Sequence, residues 1–248
     1  MEEIDLLRQA EETNYNVSRE RLGDTAELVQ HTVNLYQFLF DLVEKSAVKP
    51  RDEIVAGGMF LGACRYQLVV GSVTALRGHL NDSHFFTRRA VELCAFAYRI
   101  KSDPKLGMDW LQAWRDGPKY RQFRKDFSTK ELFPTSHPLL NNLYKRYDLS
   151  SKLVHSSIYG FGRNLATSAQ PGMWQITFSY CELQAEDVSE PAATLLYIVD
   201  THFGILRLFE EVFAEVIAHD KFAWEAARNA LDLTIGQHKA KWKAVLPI

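Results

Sequence analysis

The sequence is poor in cysteine, and its three cysteines, Cys64, Cys94 and Cys181, form an odd number with no C-x-x-C spacing. That argues against a disulfide framework and against a thiolate zinc site, and the expected setting is reducing and cytoplasmic. Net charge is almost absent: a formal −2 and a pI near 6.5 give no global attraction to nucleic acid or anionic lipid. Any such binding has to rest on a local patch. Neither H-E-x-x-H nor paired E-x-x-H occurs, His79 and His84 lie five apart across an expected turn, and the glycines at 57, 58, 160 and 162 match neither a P-loop nor a dinucleotide fingerprint. No metal and no cofactor is expected.

Long apolar runs are missing as well. The most apolar region, GGMFLGACRYQLVVGSVTALRGHL, is interrupted by Arg65 and Gln67 and lacks about 18 uninterrupted apolar residues, so it reads as a buried helix rather than a membrane span. The opening MEEIDLLRQAEETN is acidic and amphipathic, unlike a secretory signal. No membrane partner is expected. There is no internal repeat, low-complexity tract or long linker.

What is present is an ordinary globular composition, 46% hydrophobic and 24% charged over 248 residues, enough for one large or two small cores. The dominant period is helical. The spacing predicts one long helix over 19–46 with Ser18 as N-cap, its apolar stripe running through Leu28, Leu35, Leu39 and Leu42. Pro50 opens a helix over 51–80, in which Gly58 and Gly62, one turn apart, are expected to let another helix approach, although each weakens the helix by about 1 kcal/mol relative to alanine. A polar turn at Asn81 to Ser83 leads to a third helix over 83–101, ended by Ser102-Asp103-Pro104. Further helices are expected over 104–116, 118–127, 137–154, 190–218 and 220–244. In MWQITFSYCEL, residues 173–183, apolar and polar residues alternate as in a half-buried strand, and Gln170-Pro171-Gly172 points to a hairpin with residues near 159–168. The fold class expected is all-α, a multi-helix bundle in one domain over 1–248 with a small β-hairpin insertion near 160–183. Residues 1–48 read as an N-terminal helical appendage.

Two stretches carry candidate chemistry. In SHFFTRRAVELCAFAYRI a helical wheel puts Phe86, Ala90, Leu93, Ala97 and Ile100 on the core face. Arg88, Glu92 and Arg99 fall on another side near Phe85 and Phe96, where a partly buried carboxylate requires cationic partners. In YDLSSKLVHSSIYGFG, Tyr147, Ser151 and His155 follow at i, i+4 and i+8 with Lys152 beside them. A serine hydrolase would also need an orienting acid and an oxyanion hole, and no G-x-S-x-G turn is present. His155 therefore reads either as the polar residue closing a helix or as part of a ligand site. A third stretch, GPKYRQFRKDFSTK, mixes basic and aromatic residues, but the wheel turns Tyr120, Phe123 and Phe127 toward the core and Arg121, Arg124 and Lys125 toward solvent.

The order RRAVELCAFAYRI, then YDLSSKLVHSSIYG, then a β-like segment and LLYIVDTHFGILRLFEEVF resembles the HEPN superfamily of prokaryotic helical domains over about residues 50–218. It is most similar to uncharacterised bacterial members whose helix end reads Ser-x-x-x-His. The resemblance implies a helical bundle, frequently dimeric, with a polar site between helices. Some members are ribonucleases of toxin–antitoxin and phage-defence systems, with an arginine about six positions before the catalytic histidine. Here His155 matches the histidine, but Leu149 and Ser150 stand at the earlier positions and the nearest upstream arginine is Arg146. Arg88 or Arg89 from the third helix would have to replace it. The function expected is thus a HEPN-like binding or interaction protein, a homodimer, with a site around Arg88, Arg89, Glu92, Tyr147, Ser151, Lys152 and His155 for a nucleotide, RNA or a protein partner. The alternatives are a metal-independent ribonuclease, with His155 as base and Arg89 as cation, and a structural assembly protein without a ligand site.

Overall fold

In the computed structural model, residues 2–46, 48, 51–107, 117–154, 165–170, 173–178 and 188–243 are described, the segments 165–170 and 173–178 by their backbone. The chain is all-α apart from one two-stranded ladder. The first departure from the sequence reading comes at Gly23. Instead of one helix over 19–46 there are two, α1 (Glu2–Leu22) and α2 (Asp24–Lys45), separated by Gly23 at φ 51. That conformation suits glycine and interrupts the helix, so Ser18 lies inside α1, fully buried, and caps nothing. Leu28, Leu35, Leu39 and Leu42 are buried on α2 as their spacing requires.

The second departure is at the next turn. Helix α3 (Asp52–Leu76) ends where the amide of His79 reaches the carbonyl of Thr74 at 3.1 Å and that of Gly78 reaches Ala75 at 3.0 Å, with Gly78 at φ 92. This paired bonding around a left-handed glycine is a Schellman ending. Helix α4 (Leu80–Ser102) therefore starts before Asn81 to Ser83, which occupy its first turn rather than a loop. On α4 Ala90, Leu93, Ala97 and Ile100 are buried, Phe86 is half-buried, and Val91, Cys94 and Ala95 are buried too. The helix is enclosed more widely than one apolar stripe requires.

The chain continues with α5 (Gly117–Asp126), α6 (Thr129–Leu132) and α7 (Pro138–Val154). Strands β1 (Leu165–Gln170) and β2 (Met173–Phe178) pair antiparallel, Leu165 opposite Phe178 and Gln170 opposite Met173. Helix α8 (Ser189–Val212), the short α9 (Ala214–Ile217), a 3-10 turn at Ala218–Asp220 and α10 (Lys221–Lys241) complete it. Helix α7 begins on Pro138, and the Nδ1 atom of His137 accepts the amide of Leu140 at 3.2 Å, which satisfies one of the free donors of the first turn.

The core centres on α8, where Leu195, Ile198, Val199, Ile205, Leu206, Leu208 and Phe209 are buried against α2, α3, α4, α7 and α10. Of the N-terminal 48 residues, α1 is the peripheral part, while α2 supplies Tyr36 and Leu39 to the core. The glycines that permit close approach are not Gly58, whose missing side chain would point into open space, nor mainly Gly62, which meets one edge of Phe40. They are Gly57, where a Cβ would lie 3.0 Å from Phe213 and 3.2 Å from Val212, and Gly71, set against Phe86 and the carbonyl of Ser83.

Candidate functional site

Helix α7 lies across α4 and α8, so neighbouring residues on it reach different partners. Tyr147 reaches α4. Its hydroxyl accepts a hydrogen bond from the Arg88 guanidinium at 3.1 Å, and that guanidinium sits 5.0 Å from the centre of the Tyr147 ring. Glu92, one turn further along α4, accepts from Arg89 at 3.1 Å and lies 3.6 Å from Arg88. Arg88 and Glu92 are about one-fifth exposed, Arg89 about half. Arg88 is thus fixed between a carboxylate and an aromatic face, and Arg89 has half its side chain in solvent. Phe133 and Tyr144 extend the aromatic group, with ring centres 5.6 Å and 6.2 Å from that of Tyr147.

The other expected members divide. The Ser151 hydroxyl donates to the carbonyl of Tyr147 at 2.7 Å, a bond back along its own helix that leaves no directed nucleophile. Lys152 pairs with Asp148 on the exposed side of α7 at 2.6 Å. Arg99, grouped with Arg88 and Glu92 by the wheel, turns to the carbonyl of Asp126 and to Glu131. His155 lies outside the described residues. Helix α7 is described to Val154, one residue before it.

A second polar group, which the sequence reading did not single out, occupies the α7–α8 side. Arg146 pairs with Asp200 and donates to the hydroxyl of Thr201 at 3.1 Å, while Lys239 of α10 reaches the other Asp200 oxygen at 2.6 Å. The Tyr197 hydroxyl donates to the carbonyl of Arg146 at 2.7 Å and accepts from Ser150 at 3.0 Å, and its ring lies 5.1 Å from that of His84. Burial pushes the Tyr197 phenol up, opposed by the Ser150 bond and the Arg146 charge. The signal for this group was Tyr197, Asp200, Thr201 and His202 within the otherwise apolar α8. Polar residues there must find partners on neighbouring helices.

Deeper still, Tyr36 and His202 share a hydrogen bond of 2.9 Å with both residues fully buried. Burial lowers the His202 imidazole to about 3 and raises the Tyr36 phenol and the Cys64 and Cys94 thiols. Both cysteines are free, and each Sγ is bonded to a backbone carbonyl of α4. They are packing groups, because a raised thiol pKa suppresses the reactive thiolate. Cys181 lies outside the described residues.

On α5 the structure departs from the helical wheel. Tyr120 is about half exposed beside Arg121 and Arg124, while Phe127 is buried and rests on Phe96. The expected inward turn of Tyr120 fails because α5 packs through its C-terminal end. His79 and His84 separate as well, the first bonding Glu11 at 2.8 Å and the second buried against Tyr197. Among the described residues no three His, Cys, Asp or Glu side chains converge to hold a metal. A shallow apolar groove of about 360 Å³ runs between α2 and α10, lined by His31, Leu35, Phe38, Ala227 and Leu231. It shares no residue with the polar groups above.

The Arg88–Glu92–Tyr147 arrangement suits anion recognition. It holds two guanidinium groups against one carboxylate, one of them half exposed, beside aromatic rings of which Tyr144 is 37% exposed. Compared with protein-family models, with curated proteins and with solved structures, the chain finds no match. Fold and geometry alone therefore define the class, an all-α multi-helix protein with a polar inter-helix cluster.

Proposed function

We propose that this protein is a HEPN-like binding protein whose polar face between α4 and α7 takes an RNA strand or a free nucleotide. The observation that carries the reading is Arg88 on the Tyr147 ring, steadied by Glu92, with Arg89 half exposed at the same carboxylate. A phosphate can be met by Arg89 and a base can stack on the exposed face of Tyr144. Fluorescence anisotropy with labelled single-stranded RNA and with nucleotides tests this. Binding should weaken as salt rises, and Arg89→Glu should lower affinity by at least about tenfold while the fold, read by circular dichroism, is unchanged. Absence of binding at low salt, or equal binding by Arg89→Glu, rejects the site.

One observation favours metal-independent ribonuclease activity as a second reading. Helix α7, which carries Tyr147 beside Arg88, runs to the residue before His155. On that reading RNA is cleaved in EDTA, and His155→Ala abolishes cleavage without unfolding the protein. Binding without cleavage supports the first reading over the second. If neither occurs, the structural-assembly reading remains.

A further inference from the structure

Helix α3 is apolar on two opposite sides. Inward, Phe60, Leu61, Cys64 and Leu68 are at most 2% exposed. Outward, Val55, Met59, Gly62, Tyr66, Val69 and Val73 recur at spacings alternating between four and three, the stagger of a helix–helix seam. Val55, Met59, Tyr66 and Val69 are 49%, 52%, 62% and 40% exposed. At Gly62 the Phe40 ring of α2 leans across the helix, 3.2 Å from where a Cβ would stand, and carries the apolar strip onto α2. The comparison with α8 is instructive. The two helices contain stretches of similar mean hydropathy, 1.4 and 1.3, yet 72% of the α8 stretch is buried and only 39% of the α3 stretch. A helix apolar all round belongs in an interior, and half of α3 has no cover in the single chain.

We propose that this outer face is the two-fold interface of a homodimer, with α3 packed antiparallel against α3 of a second copy. The stripe is self-complementary in that direction. A two-fold centred near Cys64 sets Val55 opposite Val73, Met59 opposite Val69, and Tyr66, the largest side chain, opposite Gly62, which has none. The charges agree with this direction. Asp52 in the first turn of one α3 comes beside the last turn of the other, where Arg77 is half exposed, and the helix dipoles oppose. Arg51, which the same axis brings toward Arg77, is already held by Glu53 at 3.1 Å and Glu215 at 2.7 Å. The exposed apolar stripe amounts to a few hundred Å² per copy, beyond what a monomer usually leaves open. With its polar rim, the paired surface approaches the roughly 1,200 Å² at the low end of stable interfaces. A lipid surface fits less well, since α3 has no lysine and one arginine, whereas helices that lie on membranes carry a cationic rim.

The proposal is independent of the polar site and is tested on the full chain without RNA. Sedimentation equilibrium from about 1 to 100 μM should give a dimer, and Tyr66→Glu and Met59→Glu, both at half-exposed positions, should raise its dissociation constant by at least about tenfold with unchanged circular dichroism. In a Cys181→Ser background, an oxidised mixture of Val55→Cys and Val73→Cys proteins should form disulfide-linked dimers, and Val55→Cys alone should not. A wild-type monomer at about 100 μM overturns the proposal, whether or not the protein binds anionic vesicles. So does a dimer indifferent to both glutamate variants. Cross-linking by Val55→Cys alone overturns the antiparallel arrangement.

Discussion

His202 shows how burial converts an ordinary side chain into a pH-dependent element of stability. Its imidazole is lowered to about 3 by burial, against a usual value of 6.5, so between these limits the unfolded chain binds a proton that the native state refuses. Stability from this residue is complete above about pH 6.5 and is lost as pH falls toward 3, at up to about 1.4 kcal/mol per unit. Urea denaturation at pH 7, 6 and 5 should show that slope, and His202→Gln, which cannot take up a proton, should flatten it. An equal slope in both proteins would sink the assignment. At Asp200, two cations from different helices share one carboxylate that is 16% exposed. Asp200→Asn should lower stability by about 1–3 kcal/mol, because Arg146 and Lys239 are then left close together with no charge between them. Thermal unfolding of the variant checks this. Arg88, Glu92 and Tyr147 were legible in the sequence as a polar set inside apolar helices. Arg146 with Asp200 was not, because residues 54 apart in the chain reveal their pairing only once α7 lies on α8.

At the level of helices, length and amphipathic period were legible, but ends depended on single backbone torsions. The 3, 4 and 7 spacing located the buried leucines of α2 and passed over the break at Gly23, where φ is 51. Gly23→Ala should destabilise the protein by about 1 kcal/mol, since a β-carbon disfavours that torsion while the space around it is open. Gly57 tests the opposite case, ordinary backbone with no room. Gly57→Leu should lower the denaturation midpoint far more than Gly58→Leu, because the first forces α3 off Phe213 and Val212 and the second points into open space. Equal effects would contradict the packing described for α3. The outward turn of Tyr120 has the same lesson. A wheel divides a helix into faces, but which face meets the core depends on where its neighbours stand.

Over the whole molecule, stability should be graded from α8 outward. Helix α8 is enclosed by five other helices, whereas α1 buries little beyond Asn14, Ser18 and Leu22 and is held at the α3–α4 turn by Glu11 on His79 and by Asn14 on the carbonyl of Arg77. Amide hydrogen exchange should accordingly be slowest in α8, with opening free energies near the global value, and fastest in the first half of α1. Comparable protection in the two helices would overturn this account of the core. Dimerisation through α3 should add protection along that helix and leave α1 unaffected.

The sequence by itself determined the helical class, the main amphipathic faces and the polar set on α4 and α7, because these follow from composition and from periods read over neighbouring residues. Tertiary structure alone decided the pairing of Arg146 with Asp200, the enclosure of His202 by Tyr36 and the glycine at which α3 meets Phe213. It also decided that one side of a helix apolar all round is left bare. Each of these depends on the approach of residues distant in the chain, where burial changes the energy of a charge, a ring or a missing side chain. Local pattern holds no record of that approach.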